Sequence, residues 1–127
     1  MNGLTETKAK LLADPSVVSS VSTYKTKPAI FGKPVVPEKV SGNAISMYLS
    51  VPVDGGLEYG NFGLTVNCWA SKYDKCIDIQ EAVYNALNRQ TYAGNTFFLC
   101  IKSVVIPSTT VGGGEYNAPV EVLVRQR

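Results

Sequence analysis

Apolar and polar residues alternate strictly from Phe62 to Trp69, with Phe62, Leu64, Val66 and Cys68 on one side and Gly63, Thr65, Asn67 and Trp69 on the other. A period of two predicts a strand with one buried face. At Ala70-Ser71 the period changes: Cys76, Ile79, Ala82, Val83, Ala86 and Leu87 recur at spacings of three and four, the stripe of an amphipathic helix. Ser71 and Asp74 predict a capping box at its start, hydroxyl and carboxylate each accepting from otherwise orphaned backbone donors.

The flanking pattern builds around that strand and helix. Leu4, Lys8, Leu11 and Leu12 share a helical side, predicting a short helix over residues 3–13. Asp14-Pro15 restarts it, Asp14 as cap and Pro15 at a first helical position, for another turn or two with Val17, Val18 and Val21. Residues 24–43 then predict an extended arm. Pro28, Pro34 and Pro37 each remove a ladder donor, leaving room for one short edge strand near Ala29 to Phe31. Ile45, Met47, Leu49 and Val51 alternate with polar residues as a strand, ended by Pro52 and turned by Asp54-Gly55-Gly56. Gly60 and Gly63 mark a bulge or loosened tip on the returning strand, and Gly94 stops the helix side and turns the chain.

Residues 97–106 are β-branched and aromatic on both faces, which predicts a central strand covered on two sides. Tyr116, Ala118, Val120, Val122 and Val124 predict a last strand over 115–125, and Pro119 demotes part of it to an edge or a bulge. The expectation is a single α+β domain over residues 1–127: a mostly antiparallel sheet with two helices packed on one face, in the order α-β-β-α-β-β, with the extended arm after the first helix.

Composition narrows the function. With 45% apolar and 17% charged residues the 127-residue chain is expected to fold around one core. A net charge of +2 does not by itself point to nucleic acid or membrane, and no apolar run approaches the ~20 residues of a spanning helix. Met1 to Leu12 is too polar for a signal peptide. Cys68, Cys76 and Cys100 lack the paired spacing of a metal knuckle or redox motif, and all fall at expected buried positions. Their odd count argues against a secreted disulfide framework, and with the polar start and the lack of a spanning run the expected compartment is reducing and aqueous.

The chain has no histidine, so the commonest general base and transition-metal ligand are missing. Asp74, Asp78 and Glu81 fall at helical spacings, where a solvated face beside Lys72 and Lys75 explains them without a metal. Gly112-Gly113-Gly114 leads into a strand with no Lys-Ser/Thr after it, unlike a phosphate loop. Seven tyrosines suit interface anchoring better than base stacking. The sequence therefore predicts no catalytic residue, cofactor or metal. A Cys76 or Cys100 nucleophile would need an activating neighbour that the missing histidine does not supply.

Three segments carry a resemblance. Leu11-Leu12-Ala13-Asp14-Pro15-Ser16-Val17, the strand end Val66-Asn67-Cys68-Trp69-Ala70-Ser71-Lys72, and the helix Ile79-Gln80-Glu81-Ala82-Val83-Tyr84-Asn85-Ala86-Leu87 resemble the tail terminator, or tail-completion, family of tailed phages and related prophage particles. The resemblance implies a virion protein of the tail or neck, assembled in the host cytoplasm. It implies a ring, usually a hexamer, on the last ring of the tail tube, stopping tube polymerisation and meeting the head-tail connector or stopper protein. DNA would pass through the lumen without sequence-specific binding, and no membrane is involved.

A cyclic ring needs two different surfaces that meet. Candidates are Lys25, Lys27, Phe31 and Lys33 of the arm, which would wrap a neighbour. Asp54, Glu58 and Tyr59 of the first hairpin and the loop 108–114 would dock the tube or connector. Glu115, Tyr116, Glu121 and Arg125 would line the last strand as an open edge. Two alternatives share these residues: a head–tail stopper or other neck-ring protein, and a small nucleic-acid- or ligand-binding α+β domain with its lysines and tyrosines on one face.

Overall fold

A computed structural model describes residues 3–33, 42–52, 62–94, 96–107 and 116–126. Helices α1 (Gly3–Leu12) and α2 (Pro15–Ser20) open the chain. Asp14 caps α2, its Oδ1 accepting from the backbone N–H groups of Ser16 at 2.9 Å and Val17 at 3.2 Å, with Pro15 in the first turn as its fixed φ favours. The arm then folds on itself. Strands β1 (Thr23–Tyr24) and β2 (Lys27–Pro28) make a small antiparallel hairpin. Its turn residues Lys25 (φ 49°) and Thr26 (φ 68°) adopt the two left-handed conformations that a tight hairpin demands.

Strand β3 (Ile30–Phe31) lies parallel to the start of β4 (Ala44–Pro52), the expected short edge strand near Ala29. Gly42 fastens the return of the arm. Its φ is +98°, and a Cβ there would fall 2.4 Å from Ser22 Oγ, a separation only glycine permits. Strand β5 (Phe62–Ala70) returns antiparallel to β4, with a register shift between Leu49 and Val51, so Gly63 sits opposite the irregularity. After helix α3 (Tyr73–Leu87) come β6 (Thr91–Tyr92), β7 (Thr96–Lys102), β8 (Ile106–Pro107) and β9 (Tyr116–Gln126).

Seven strands form one sheet in the order β3-β4-β5-β9-β7-β6, with β8 pairing to β9 beyond the end of β7. Every contact but β3–β4 is antiparallel. The α+β expectation therefore holds, with three helices rather than two. Helix α3 lies across β5, β9 and β7, and α1 and α2 pack against it. Between them lies one core: Leu11 and Val17, then Ile45, Met47, Leu64, Val66, Phe98, Val120, Val122 and Val124 from the sheet, then Ile79, Val83 and Leu87 from α3.

Four expectations are corrected. The last strand is not an edge: β9 lies between β5 and β7 and pairs along its length with β5. Pro119 is tolerated there because its carbonyl faces the β7 side, accepting from Ser103 N at 3.0 Å. Its absent N–H therefore falls in the gap where β7 has ended at Lys102 and β8 has not begun. The strand over 97–106 is not covered on both faces; β7 stops at Lys102 and exposes Leu99 and Ile101. The capping box does not form. Helix α3 begins at Tyr73, one residue late for it, with Lys72 as a cap that makes no side-chain hydrogen bond. Leu12, expected on the apolar side of the first helix, is exposed, while Glu6 and Thr7 of α1 are buried. The turn at Asp54-Gly55-Gly56, Gly60 and the glycine-rich loop 108–114 lie outside the described residues.

Candidate assembly interface

Alternation puts every second residue of the sheet on the side away from the helices, and that side changes character along the strands. At one end a polar seam crosses it. Trp69 Nε1 donates to Ser46 Oγ at 2.9 Å, Asn117 Nδ2 donates to Asn67 Oδ1 at 3.1 Å, and Thr65 Oγ1 donates to both Glu121 carboxylate oxygens at 3.0 and 3.1 Å. Ser46, Thr65 and Asn67 are buried although they face away from the helices, so their polar groups need these partners. Each contact is a cross-strand pair or its diagonal neighbour, since Ser46 stands opposite Asn67 and Thr65 opposite Glu121.

At the other end the same side is apolar and open. Leu99 stands opposite Leu123 across the β7–β9 ladder, and both are about two-fifths exposed (40% and 42%). Ile101, opposite Glu121, is 71% exposed, and Phe97, half-buried, stands opposite exposed Arg125. Val104 is exposed in the gap after β7, and Ile106, 48% exposed, stands back at the seam end opposite Asn117. A contiguous apolar strip rimmed by Glu121 and Arg125 has the anatomy of a protein contact, apolar at its centre with charge at its margin.

The free edge of β7 is closed by the end of α3. Asn88 Oδ1 accepts from Cys100 N at 3.0 Å, taking the place of a strand carbonyl, while Asn88 Nδ2 donates to Tyr84 Oη at 3.0 Å. Lys102 pairs with Glu81 and lies 4.8 Å over the Tyr84 ring. Backbone bonds from Phe98 N to Gln90 O and from Arg89 N to Phe98 O complete the cover. Blunting an edge in this way discourages strand addition at β7. The opposite edge is different: β3 covers only the Ile45 and Ser46 level of β4, and Leu49 farther along is 57% exposed.

The predicted site residues scatter over this surface. Lys25, Lys27 and Lys33 are exposed on the arm, with Lys25 Nζ 5.4 Å from the Tyr24 ring, and Phe31 packs edge-on against Tyr24 at 5.6 Å. Tyr116 packs edge-on against Tyr73 at 5.8 Å, at the corner where β9 starts. Glu121 and Arg125 share the outer face of β9 rather than an edge. Asp54, Glu58, Tyr59 and Glu115 lie outside the described residues. Sequence reasoning missed Leu99, Ile101 and Leu123, because apolar strand positions suggest burial. It also missed Gln80, whose Nε2 donates to the carbonyls of Ser103 at 2.7 Å and Pro119 at 3.0 Å beneath the β7–β8 gap. A glutamine inside an apolar helical stripe was the available signal.

The three cysteines are buried thiols on the helix side. Burial pushes the Cys68 thiol well above its ordinary value, with Cys76 beside it adding to the rise. Burial pushes Cys76 up to about 11, against backbone hydrogen bonds at Ala70 and Ala118 that pull it down, and pushes Cys100 up to about 12. At neutral pH all three stay protonated, where a thiol packs as a small hydrophobe; Cys76 Sγ donates to the Cys68 carbonyl at 3.2 Å. Among the described residues no group of three or more Cys, Asp or Glu is placed to hold a metal ion, and no helix is long and apolar enough to cross a membrane.

No protein-family model matches the chain, and no curated protein matches it in sequence. In structure it is similar to a chain of the virion of a native gene transfer agent particle, with a TM-score of 0.64, 15% identity, and 94% of this chain and 90% of that one covered. At that identity the likeness is one of fold, and it spans nearly the whole of both chains.

Proposed function

We propose that this chain is a structural protein of a phage-like particle, a tail terminator that forms a ring at the head-proximal end of the tail tube. There it stops tube polymerisation and joins the tail to the head-side connector. The observation that carries the reading is the fold shared over nearly the full length with a chain of a gene transfer agent virion. The terminator role and the hexamer rest on the resemblance of the Asp14-Pro15 helix start, the Trp69 strand end and the α3 sequence to that family. The open strip of Leu99, Ile101 and Leu123 supports a protein that works by contact, because a lone chain gains nothing from leaving it in water.

A ring of identical chains uses a heterologous contact, one surface of each subunit meeting a different surface on the next. The half-covered edge of β4 and the apolar strip on β7–β9 lie at different places on one sheet, one free to meet a neighbouring subunit and the other the tail tube or connector. On this reading the protein does no chemistry, and its cysteines are core residues.

Native mass across a range of concentration and salt tests the proposal. The expected result is a closed species near six times the chain mass, insensitive to salt. A chain that stays monomeric, does not join isolated tail tubes, and binds duplex DNA with a steep salt slope would replace this reading with a nucleic-acid-binding domain.

A further inference from the structure

Between α1 and β3 lies an open groove of about 510 Å³, lined by Leu4, Thr5, Lys8, Phe31, Gly32 and Lys33. Its character is mixed: half-buried Leu4 and Phe31 offer apolar surface, and two lysines supply positive charge. Among the described residues neither ammonium has an ion-pair partner, the ion pair there being Lys102–Glu81. Gly32 keeps the groove open. A Cβ there would meet Leu4 and Lys8 at 3.8 and 3.9 Å, so any larger side chain would occupy the space itself. The site suits an extended segment that carries carboxylates beside apolar side chains.

The chain contains one segment of that composition. Residues 53–61 read Val-Asp-Gly-Gly-Leu-Glu-Tyr-Gly-Asn: two carboxylates, Asp54 and Glu58, with Leu57 and Tyr59 between and beside them and no cation. The other two long connections do not match. In 34–41 Glu38 is offset by Lys39, and 108–115 has Glu115 alone. Position matters as much as charge. Phe31 of the groove stands opposite Ser46 near the start of β4, while 53–61 follows Pro52 at the other end of that strand. Six residues of strand separate the two levels by about 20 Å. An acidic stretch of sequence following one end of β4 and a basic groove near the other suit a head-to-tail contact, which closes into a ring when the rotation allows.

We propose that the groove between α1 and β3 receives the segment 53–61 of a neighbouring copy of this chain, with Asp54 and Glu58 reaching Lys8 and Lys33 and with Leu57 or Tyr59 over Leu4 and Phe31. The inference rests on the ring reading and names which two surfaces of that ring meet.

Disulfide trapping with introduced cysteines tests it, the native thiols being buried. A Lys33→Cys chain mixed with a Glu58→Cys chain is expected to give a covalent dimer under mild oxidant, while each variant alone gives none. The charge-reversed Lys8→Glu/Lys33→Glu chain is expected to lose the closed oligomer. Adding Asp54→Lys/Glu58→Lys to that same chain is expected to restore it, which a merely misfolded variant would not do. An intramolecular bridge in the diluted Lys33→Cys/Glu58→Cys chain would overturn the proposal, showing that the segment folds onto its own groove. A closed oligomer that forms with no cross-link would overturn it and spare the ring; neither oligomer nor cross-link would overturn both.

Discussion

The two faces of the β5–β9–β7 ladder are built from alternate residues of the same strands and differ in almost every respect. On the helix side Leu64, Val66, Val120, Val122, Val124 and Phe98 are buried in the core, with α3 lying across their strands and α1 and α2 packed against α3. On the other side the same strands pass from a hydrogen-bonded seam at Thr65, Asn67 and Trp69 to open apolar surface at Leu99, Ile101 and Leu123. The helix side answers to one requirement, removal of apolar area from water, worth about 25 cal/mol per Å². The outer side cannot be explained that way, because its apolar residues remain wet. The helix side holds the fold, and on the proposed function the outer side serves contact, so substitutions should separate stability from assembly face by face.

The deepest cut on the helix side is Phe98→Ala. Phe98 is the largest fully buried side chain among the described residues and sits in the core on β7, against which α3 packs. Its truncation is expected to cost about 3–5 kcal/mol in chemical denaturation, enough to unfold much of the population of an ordinary domain. A loss below about 1 kcal/mol would mean that the core closes differently. Gln80→Ala comes next. It takes the side-chain donor from the Ser103 carbonyl and leaves the Pro119 carbonyl with Ser103 N alone, and is expected to cost about 1–3 kcal/mol. Fraying should appear first at Ser103 to Ile106, read by hydrogen exchange; exchange spread evenly over the sheet would place the role of Gln80 elsewhere.

These two residues also mark what the sequence makes legible. Period-two and period-3.6 patterns place β4, β5, β9 and α3 and most of their buried positions, because those are set by local alternation and one-sided burial, though Leu49 on the apolar face of β4 is 57% exposed. Asp14-Pro15 locates the start of α2 since cap and φ preference act within three residues. What escapes is non-local. Pro119 suggests an edge, and only the end of β7 at Lys102 shows why a central strand tolerates it. The β1–β2 hairpin escapes because its turn uses Lys25 and Thr26 where Asn-Gly is the recognisable signal. The contact between Thr96 and Glu6, which ties α1 to β7 across ninety positions of sequence, leaves no local trace at all. Of the candidate interface, the charged rim at Glu121 and Arg125 is legible and the apolar centre is not, since alternation alone cannot tell a covered face from a bare one.

A smaller effect sharpens the point about the arm. Thr26 is β-branched and held at φ 68°, where such a side chain crowds its own backbone. Thr26→Gly is expected to stabilise the chain by up to about 1 kcal/mol by relieving that crowding, read as a raised denaturation midpoint. A loss of stability instead would show that the Thr26 side chain makes a contact outweighing its backbone strain.

The smallest expected change in stability belongs to the outer face, and it is the most informative. Ile101 is 71% exposed beside half-open Leu99 and Leu123, so Ile101→Ser removes little buried area and should move the folding free energy by less than about 0.5 kcal/mol. If the strip were ordinary surface, nothing else would change, and the substitution would simply improve solubility. If it is a contact, as the terminator reading requires, Ile101→Ser should weaken joining to the tail tube or the neighbouring subunit at least tenfold, about 1.4 kcal/mol, while the melting curve stays in place. The same pair of measurements on Phe98→Ala should move in the opposite order, with stability lost first and assembly lost only as a consequence. Failure of that inversion, with both variants losing stability and assembly in step, would mean that the two faces are not independent and that the wet apolar strip serves the fold after all.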